Sequence, residues 1–353
     1  MDAQHKAELQ HHLDAIAALL YAEADPAEVT TLEGIEKEVR SLAQEYVLPQ
    51  LGNFFIHSST SRTSGKQRTL SSTLGRLELS TAQAKQLGVQ ANSRLSPYFE
   101  KCCLTVSANA SYQRAEEDIQ QLTGVRISHS TLQRLTQRQE WQEMELAEPI
   151  EELSLDGGMV RLRTVQGQVC EWREYKALSV HGQANVAFYK ENDELVRWVN
   201  AQSFADSFTC IGDGHEGVWK IVAQLGEEAH RLEVLDWYHL MENAHKVKAP
   251  PEVLEEVEGL LWTGQSREAV RYLREHHCPG ATAFINYLLH HRSRLIDYGA
   301  WQQEGHSIGS GQVESLVKQI ALRVKLPGAQ WSVDNVPKIL KHRCAYLNGQ
   351  LAS

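Results

Sequence analysis

The chain has 353 residues, 42% of them hydrophobic and 23% charged, which is ordinary for a globular protein and enough for two or three modules. No stretch approaches the ~20 apolar residues of a membrane span, and the amphipathic N-terminus is unlike a signal peptide, so we expect a cytoplasmic protein without a membrane partner. The formal net charge of −10 does not exclude binding to nucleic acid, because DNA binding requires a basic surface locally and not a positive charge on the whole chain.

Two stretches carry a local excess of basic residues. Between Arg62 and Arg76 there are four basic residues and no acid, and between Lys318 and Arg343 there are six against one acid. From charge alone, the simpler explanation is that these basic residues lie scattered on solvent-exposed faces. The six cysteines form no C-x-x-C pair, so we expect reduced, mostly buried thiols and no structural zinc.

The first part of the chain is predicted to be mainly helical. In residues 1–56, apolar residues recur at helical spacing. Residues 57–95 open with a polar stretch rich in Ser and Thr, and are predicted to be a linker without a zinc ribbon. Residues 96–148 are predicted to be helical again.

A helix-turn-helix outline lies within residues 96–148. One amphipathic stripe ends at Gly124, and Ser128 is a plausible N-cap for the next helix. In a helix-turn-helix, Arg134 and Arg138 of the second helix would face DNA. A plain helical hairpin packed on the core explains the same pattern, and the pattern alone favours it.

From Glu151 onward the pattern changes to strands alternating with helices. The predicted order is β-β-β-α-β-α-β, which is the order of an RNase H-like fold. Residues from about 240 to 302 are helical and charged, and are predicted to be an insertion after the fifth strand. The predicted fold class is therefore α/β: an RNase H-like mixed-sheet core in residues 149–353, preceded by the mainly helical region.

Three acids fall where such a core would use them. Asp156 lies on the first strand beside a pair of glycines and shares a face with Ser154. Asp213 ends the fourth strand, and Glu314 opens a late helix beside its apolar stripe. Any one of them alone is more often a turn or helix-start residue, but their order on these elements favours a shared site.

Clustered carboxylates repel one another unless a cation neutralises them, so their convergence would imply a metal site. Mg²⁺ prefers carboxylate oxygen. Two Mg²⁺ ions roughly 3.5–4 Å apart would activate the attacking oxygen and stabilise the leaving oxygen of a phosphodiester. Mn²⁺ would be expected to substitute.

Five motifs resemble the bacterial insertion-sequence transposases of the ISKra group, in particular its cyanobacterial branch. They are SLDGGMVRLRT, CIGDGHEGVWKI, VLDWYHLMEN, IGSGQVESLVKQI and HRCAYLNG. The resemblance extends from about Leu32 to Leu351. It implies a DDE transposase in which Asp156, Asp213 and Glu314 are the catalytic acids and metal ligands.

The resemblance also implies auxiliary residues. Asp236 and His239 match the (C/D)xxH signature of transposases with a helical insertion after the fifth strand, and His215 follows Asp213 within its motif. Asp236 and His239 would orient the active site or touch DNA; a strand-end acid and a helix-capping histidine are an equally good explanation. Many relatives carry a cysteine-rich zinc ribbon after the segment equivalent to TLGRLELS, and this chain does not.

The expected function is Mg²⁺-dependent cleavage at the ends of an insertion sequence, followed by transfer of the 3′-hydroxyl end into target DNA. The expected partners are terminal inverted repeats, target DNA and further copies of the chain, in a homodimer or higher oligomer associated with the nucleoid. Phosphate contacts are expected from five basic residues near the C-terminus: Lys318, Arg323, Lys325, Lys341 and Arg343.

Two alternatives remain open. One is a domesticated or inactive relative that binds DNA as a repressor and cuts nothing. The other is an RNase H-like nuclease acting on RNA or branched DNA, against which the late helical insertion and the Asp-x-x-His signature both argue.

Overall fold

The computed structural model describes residues 1–61 and 63–351, so Arg62 of the first basic stretch lies outside the described residues. The chain divides into two units, Met1–Thr136 and Gln137–Ser353. No helix in the described ranges is long and apolar enough to cross a lipid bilayer.

The N-terminal unit is mainly helical, as predicted. Its helices are α1 (Ala3–Glu23), α2 (Leu32–Leu42), α3 (Leu48–Ser59), α4 (Thr81–Gln86), α5 (Pro97–Ser107), α6 (Tyr112–Thr123) and most of α7 (His129–Arg138), which ends two residues beyond Thr136. Five of them begin where a side-chain oxygen accepts a hydrogen bond from a backbone N–H of the first turn. Such caps satisfy donors that the helix itself leaves unpaired.

The segment predicted as a polar linker, residues 57–95, is instead largely structured. Strands β1 (Gln67–Ser72) and β2 (Gly75–Ser80) pair antiparallel and are followed by α4. Leu70, Leu79 and Ala84 form a small buried cluster there. Thr69, Ser71 and Ser72 of the polar stretch lie in β1, where β-branched and small polar residues are tolerated, whereas most of its other Ser and Thr residues precede that strand.

Both helices of the predicted helix-turn-helix outline, α6 and α7, are present. α6 ends at Gly124, whose φ of +75° is a left-handed conformation that favours glycine, and Ser128 Oγ accepts from Thr131 N at 3.4 Å near the start of α7. The inward stripes of both helices are buried, including Ile119 and Leu132. The helical prediction to residue 148 was too long, since α7 ends at Arg138.

The C-terminal unit is built on a mixed five-stranded sheet. Its strands are β3 (Ile150–Leu162), β4 (Glu171–Val180), β5 (Ala184–Phe188), β6 (Phe204–Gly212) and β7 (Arg231–Leu235). Their spatial order is β5-β4-β3-β6-β7, with β3, β4 and β5 antiparallel and β3, β6 and β7 parallel. With α8 (Asn192–Asn200) and α9 (Glu216–Val222), the predicted β-β-β-α-β-α-β order is confirmed.

Helices follow the last strand, as predicted for the insertion and the chain end. They are α10 (Trp237–Ala244), α11 (Pro251–Trp262), α12 (Ser266–His276), α13 (Ala281–His290), α14 (Tyr298–Gln303), α15 (Gly311–Val324) and α16 (Val336–Leu347). Helices α10–α14 share one buried cluster with the sheet residues Leu153 and Leu155. These helices are therefore packed into the core of this unit.

The opposite face of the sheet is covered by α15 and α16. Val160 and Leu162 of β3 pack there with Val313 and Leu316 of α15. Full burial of each such side chain contributes roughly 1.5–3 kcal/mol. This packing fixes the first turn of α15 over the middle of β3.

Candidate functional site

Three aspartates lie at one level of the sheet, on neighbouring parallel strands. In the strand register, Leu155 of β3 pairs with Gly212 of β6, which pairs with Leu235 of β7. The next residue in each case is an aspartate: Asp156, Asp213 and Asp236. Because neighbouring strands lie about 4.8 Å apart, the sheet brings these three residues side by side.

Asp156 sits on the sheet face that α15 covers. It is half-buried and follows the strand alternation that the sequence predicted, opposite the fully buried Leu153 and Leu155. Its Oδ1 accepts a hydrogen bond from Gly157 N at 2.6 Å.

The glycines after Asp156 have a structural reason. A Cβ at Gly158 would lie 2.1 Å from Cζ of Tyr175, and one at Gly157 would lie 2.3 Å from Oε1 of Glu174. Side chains of β4 thus occupy the space that a Cβ would need at both positions.

The electrostatics of Asp156 show that the acids are near neighbours. Burial raises the pKa of Asp156, and the charges of Asp213 and Glu314 raise it further, against the opposing effects of Gly157 N–H and His239. Repulsion of this kind favours a cation among the carboxylates.

Asp213 follows β6 directly and its Oδ1 accepts from His215 N at 2.8 Å. His215 Nδ1 in turn accepts from Gly217 N at 3.2 Å, so this ring caps α9. Among the predicted auxiliary residues, His215 thus has a defined structural task.

Asp236 is fully buried and joins two segments of the chain. Its Oδ1 accepts from His239 N at 2.8 Å, which caps α10, and its Oδ2 accepts from both N–H and O–H of Ser310. Burial would raise the pKa of Asp236, but the hydrogen bonds from His239 and Ser310 outweigh that effect and lower it. Ser310 immediately precedes α15, so Asp236 anchors the start of the helix that carries Glu314.

His239 lies between two acids. Its Nδ1 is 3.4 Å from Asp236 Oδ1 and 4.0 Å from Glu314 Oε1. The interaction with Asp236 raises the pKa of His239 to about 9 although burial opposes it. A cation bound by this ring would have to displace the proton.

Glu314 stands in the first turn of α15, with its side chain 30% exposed and Lys318 Nζ 3.4 Å away. Ligand atoms of Asp236, His239 and Glu314 all lie within 4.8 Å of one another. Asp156 and Asp213 are not members of that closest group; they lie on β3 and directly after β6, at one level of the sheet. The Asp-x-x-His pair therefore belongs to the site as well as capping a helix.

The donor chemistry suits a hard divalent cation. Carboxylate oxygens are the ligands that Mg²⁺ and Mn²⁺ prefer, and an imidazole nitrogen is better suited to Mn²⁺ than to Mg²⁺. Asp156, Asp213 and Glu314 offer oxygen alone, whereas the closest group adds the nitrogen of His239. The residues present fit Mg²⁺ with Mn²⁺ as a substitute.

Two of the predicted phosphate contacts are corrected by their burial. Arg323 is 1% exposed and its guanidinium lies 5.1 Å from the Trp331 ring. Arg343 is 5% exposed and its Nε donates to Gln319 O at 3.1 Å; burial lowers the pKa of Arg343. Helical spacing put both on the inner face of their helices, so neither guanidinium is available to a phosphate.

The other predicted DNA contacts are exposed. They are Arg134 and Arg138 on α7, and Lys318, Lys325 and Lys341 in the C-terminal unit. Exposure does not by itself identify a bound anion, and Lys318 Nζ lies 3.4 Å from Glu314 Oε2.

Sequence reasoning missed Ser310, although it lies in the quoted motif IGSGQVES. A Gly-Ser-Gly run before a helix signals a turn; only the fold shows that its hydroxyl meets Asp236. Comparison of the sequence with protein-family models finds no match, and comparison with curated proteins likewise finds none, so the argument for function rests on this geometry.

Proposed function

We propose that the chain is a DDE-type DNA transposase with an RNase H-like catalytic core, similar to the ISKra group of insertion-sequence enzymes. The observation that carries the proposal is the alignment of Asp156, Asp213 and Asp236 at one level of three neighbouring parallel strands, with Glu314 of α15 close to Asp236 and His239. The β5-β4-β3-β6-β7 order with its antiparallel half supports an RNase H-like core.

Asp156, Asp213 and Glu314 would hold Mg²⁺. When bound, the cation would polarise the scissile phosphate and make a coordinated water a better nucleophile. In the first step, a water oxygen bonds to phosphorus and the P–O3′ bond breaks, which leaves a 3′-hydroxyl and a 5′-phosphate. In the second, that hydroxyl attacks a target phosphate and displaces a new 3′-hydroxyl.

The remaining residues of the site position these acids. Asp236 holds the start of α15 through Ser310 and keeps His239 oriented toward Glu314. Synapsis of two DNA ends would require a homodimer or a higher oligomer on terminal inverted repeats and target DNA.

The test is cleavage of duplex DNA carrying the inverted repeats that flank the gene, with Mg²⁺ or Mn²⁺. Asp156→Asn should reduce cleavage at least ~10³-fold and leave DNA binding within about twofold, because the metal-ligating carboxylate is lost but the surface is kept. Asp206→Asn is the matched control, since Asp206 is exposed on β6 outside the site.

Equal cleavage by wild type and Asp156→Asn would refute the assignment. Tight binding of the repeats without any cleavage by the wild type would identify a repressor instead. Cleavage of hybrid or branched substrates, with none of the repeats, would identify a nuclease of another class.

A further inference from the structure

A basic cleft lies in the N-terminal unit, between the beginning of β1, helix α4 and the segment that follows α4. It encloses about 780 Å³, and residues 66–94 supply its whole lining. None of the DNA contacts predicted from the sequence lies in it.

The charge of this cleft opposes that of the chain. Lys66, Arg68, Lys85 and Arg94 line it, and no acid among the described residues does, although the chain has 45 acids against 35 lysines and arginines. Lys66, Lys85 and Arg94 are exposed, and within residues 1–61 and 63–351 no ion pair includes any of them. Three uncompensated positive charges therefore share one concave surface.

Arg68 builds one wall of the cleft. Its guanidinium donates to the carbonyls of Ala91 at 2.9 Å and Gln90 at 3.2 and 3.3 Å, and also to that of Ser93. These bonds tie the segment after α4 to β1. Arg68 is thus a structural residue of the cleft, in contrast to the exposed side chains of Lys66, Lys85 and Arg94.

Hydrogen bonds also hold the backbone at Lys66 and Arg94 in place. Lys66 O accepts from Thr81 N and Oγ1 at 3.0 and 3.1 Å, and Arg94 O accepts from Ser71 N at 2.9 Å. A cleft already formed in this way loses little conformational entropy when a ligand binds.

The neutral lining decides which anion fits. Gln67, Thr69 and Asn92 offer amide and hydroxyl groups that suit phosphate and sugar oxygens, whereas in the described part of the chain no aromatic side chain lines the cleft. Binding of single strands relies on aromatic stacking, and contacts to the duplex backbone rely on cations and neutral donors. The composition therefore favours the duplex backbone.

We propose that this cleft binds the phosphodiester backbone of duplex DNA through Lys66, Lys85 and Arg94. The inference rests on the proposed action of the chain on DNA, and it adds a contact surface in the segment that sequence analysis took for a linker.

The test is fluorescence anisotropy of the full-length chain with a fluorescein-labelled mixed-sequence duplex in EDTA, over a series of salt concentrations. Lys66→Ala/Lys85→Ala/Arg94→Ala should weaken binding roughly 10–100-fold. The plot of log affinity against log salt concentration should also become less steep: the magnitude of its negative slope should fall by about 2–3, since each phosphate contact contributes ~0.9. Lys6→Ala/Arg76→Ala/Lys101→Ala removes the same charge from residues of the same unit outside the cleft, and should change affinity no more than about threefold.

Equal losses in both triple variants would overturn the inference in favour of bulk charge. Duplex binding by the wild type that the cleft variant retains would overturn it too, while leaving the proposed function standing. If the wild type binds no DNA, both the cleft proposal and the proposed function are contradicted.

Two further measurements complete the design. Displacement of the duplex by inorganic phosphate at constant ionic strength would indicate a small-anion pocket and contradict the proposal. If circular dichroism shows that the triple variant is unfolded, Lys85→Gln alone replaces it, with an expected slope decrease of ~0.9; an unchanged slope would count against the cleft.

Discussion

Glu152 illustrates how one side chain can join several segments of the C-terminal unit. Its carboxylate lies 3.2 Å from His181 Nδ1 and accepts from Ser307 Oγ at 2.7 Å and Ser307 N at 3.2 Å. Burial alone would raise the pKa of Glu152, but the hydrogen bonds from His181 and Ser307 outweigh it and lower the pKa to about 2.

Glu152→Gln should therefore destabilise the protein in a pH-dependent way. The folded pKa lies below the ordinary value of 4.5, so the carboxylate stabilises the fold fully above that value and less as pH falls toward about 2. We expect the variant to lose about 1–3 kcal/mol at pH 7 and less below pH ~4. Urea unfolding of both proteins from pH 7 to pH 3 measures this, and a difference that grows toward acid pH would contradict it.

Gly158 is a second position at which a small change should affect stability, because an added Cβ atom would meet a neighbouring side chain. A Cβ there would lie 2.1 Å from Cζ of the buried Tyr175 on the paired strand. Gly158→Ala should cost about 2 kcal/mol or more because β4 must shift or Tyr175 must leave its position.

The control for Gly158 is Gly259→Ala on α11. A Cβ at Gly259 meets nothing within 4 Å, and alanine is the better helix former, so this change should stabilise by about 0.5–1 kcal/mol. Thermal or urea unfolding of both variants decides, and equal effects would contradict the packing argument.

At the scale of elements, α15 carries Glu314 to the sheet by means of its buried stripe. Leu316 is 2% exposed on that stripe and Leu322, on the same helix, is 67% exposed. The position of Glu314 thus depends on packing as well as on the hydrogen bonds of Ser310.

Leu316→Ala should lose roughly 2–4 kcal/mol of stability and weaken Mn²⁺ binding, because the cavity allows α15 to move away from β3. Leu322→Ala should change stability by no more than about 0.5 kcal/mol and leave cation binding unchanged. Urea unfolding and Mn²⁺ titration followed by electron paramagnetic resonance test both. Unaltered Mn²⁺ affinity in a destabilised Leu316→Ala would show that the helix does not position the site.

At the scale of the whole molecule, each unit has at least one buried cluster made of its own residues. The acids of the candidate site all belong to Gln137–Ser353, and Met144 and Leu146 at its beginning pack against its main cluster. The N-terminal unit has its own cluster around the hairpin and helices of its own.

Residues 137–353 expressed alone should therefore fold and bind Mn²⁺ with the affinity of the full chain, within about threefold. We expect a single cooperative unfolding transition by circular dichroism. A fragment without such a transition, or one that is folded but does not bind the cation, would show that the N-terminal unit is needed for the site.

Much of the fold could be predicted from local patterns. The alternation around Asp156 assigned its face correctly, and the order of strands and helices in residues 149–353 followed from runs of β-branched and helical residues. The hairpin at residues 67–80 was missed because its few apolar residues stand among Ser and Thr, which also mark loops.

The candidate site was predictable only in part. Asp156, Asp213 and Glu314 were predicted from their elements, and the resemblance added Asp236 and His239, which the structure places in one close group with Glu314. The burial of Arg323 and Arg343 and the role of Ser310 were not found. A charge on a helix can be assigned to a face, but the depth to which that face is covered depends on distant neighbours.

The amino-acid sequence by itself determined most of the elements, although not the hairpin at residues 67–80, because helix and strand periodicities and capping residues are local properties. The tertiary structure decided the register that aligns Asp156, Asp213 and Asp236, and which acids come closest together. Strand register and helix docking are set by packing between residues up to a hundred positions or more apart, which no local pattern records.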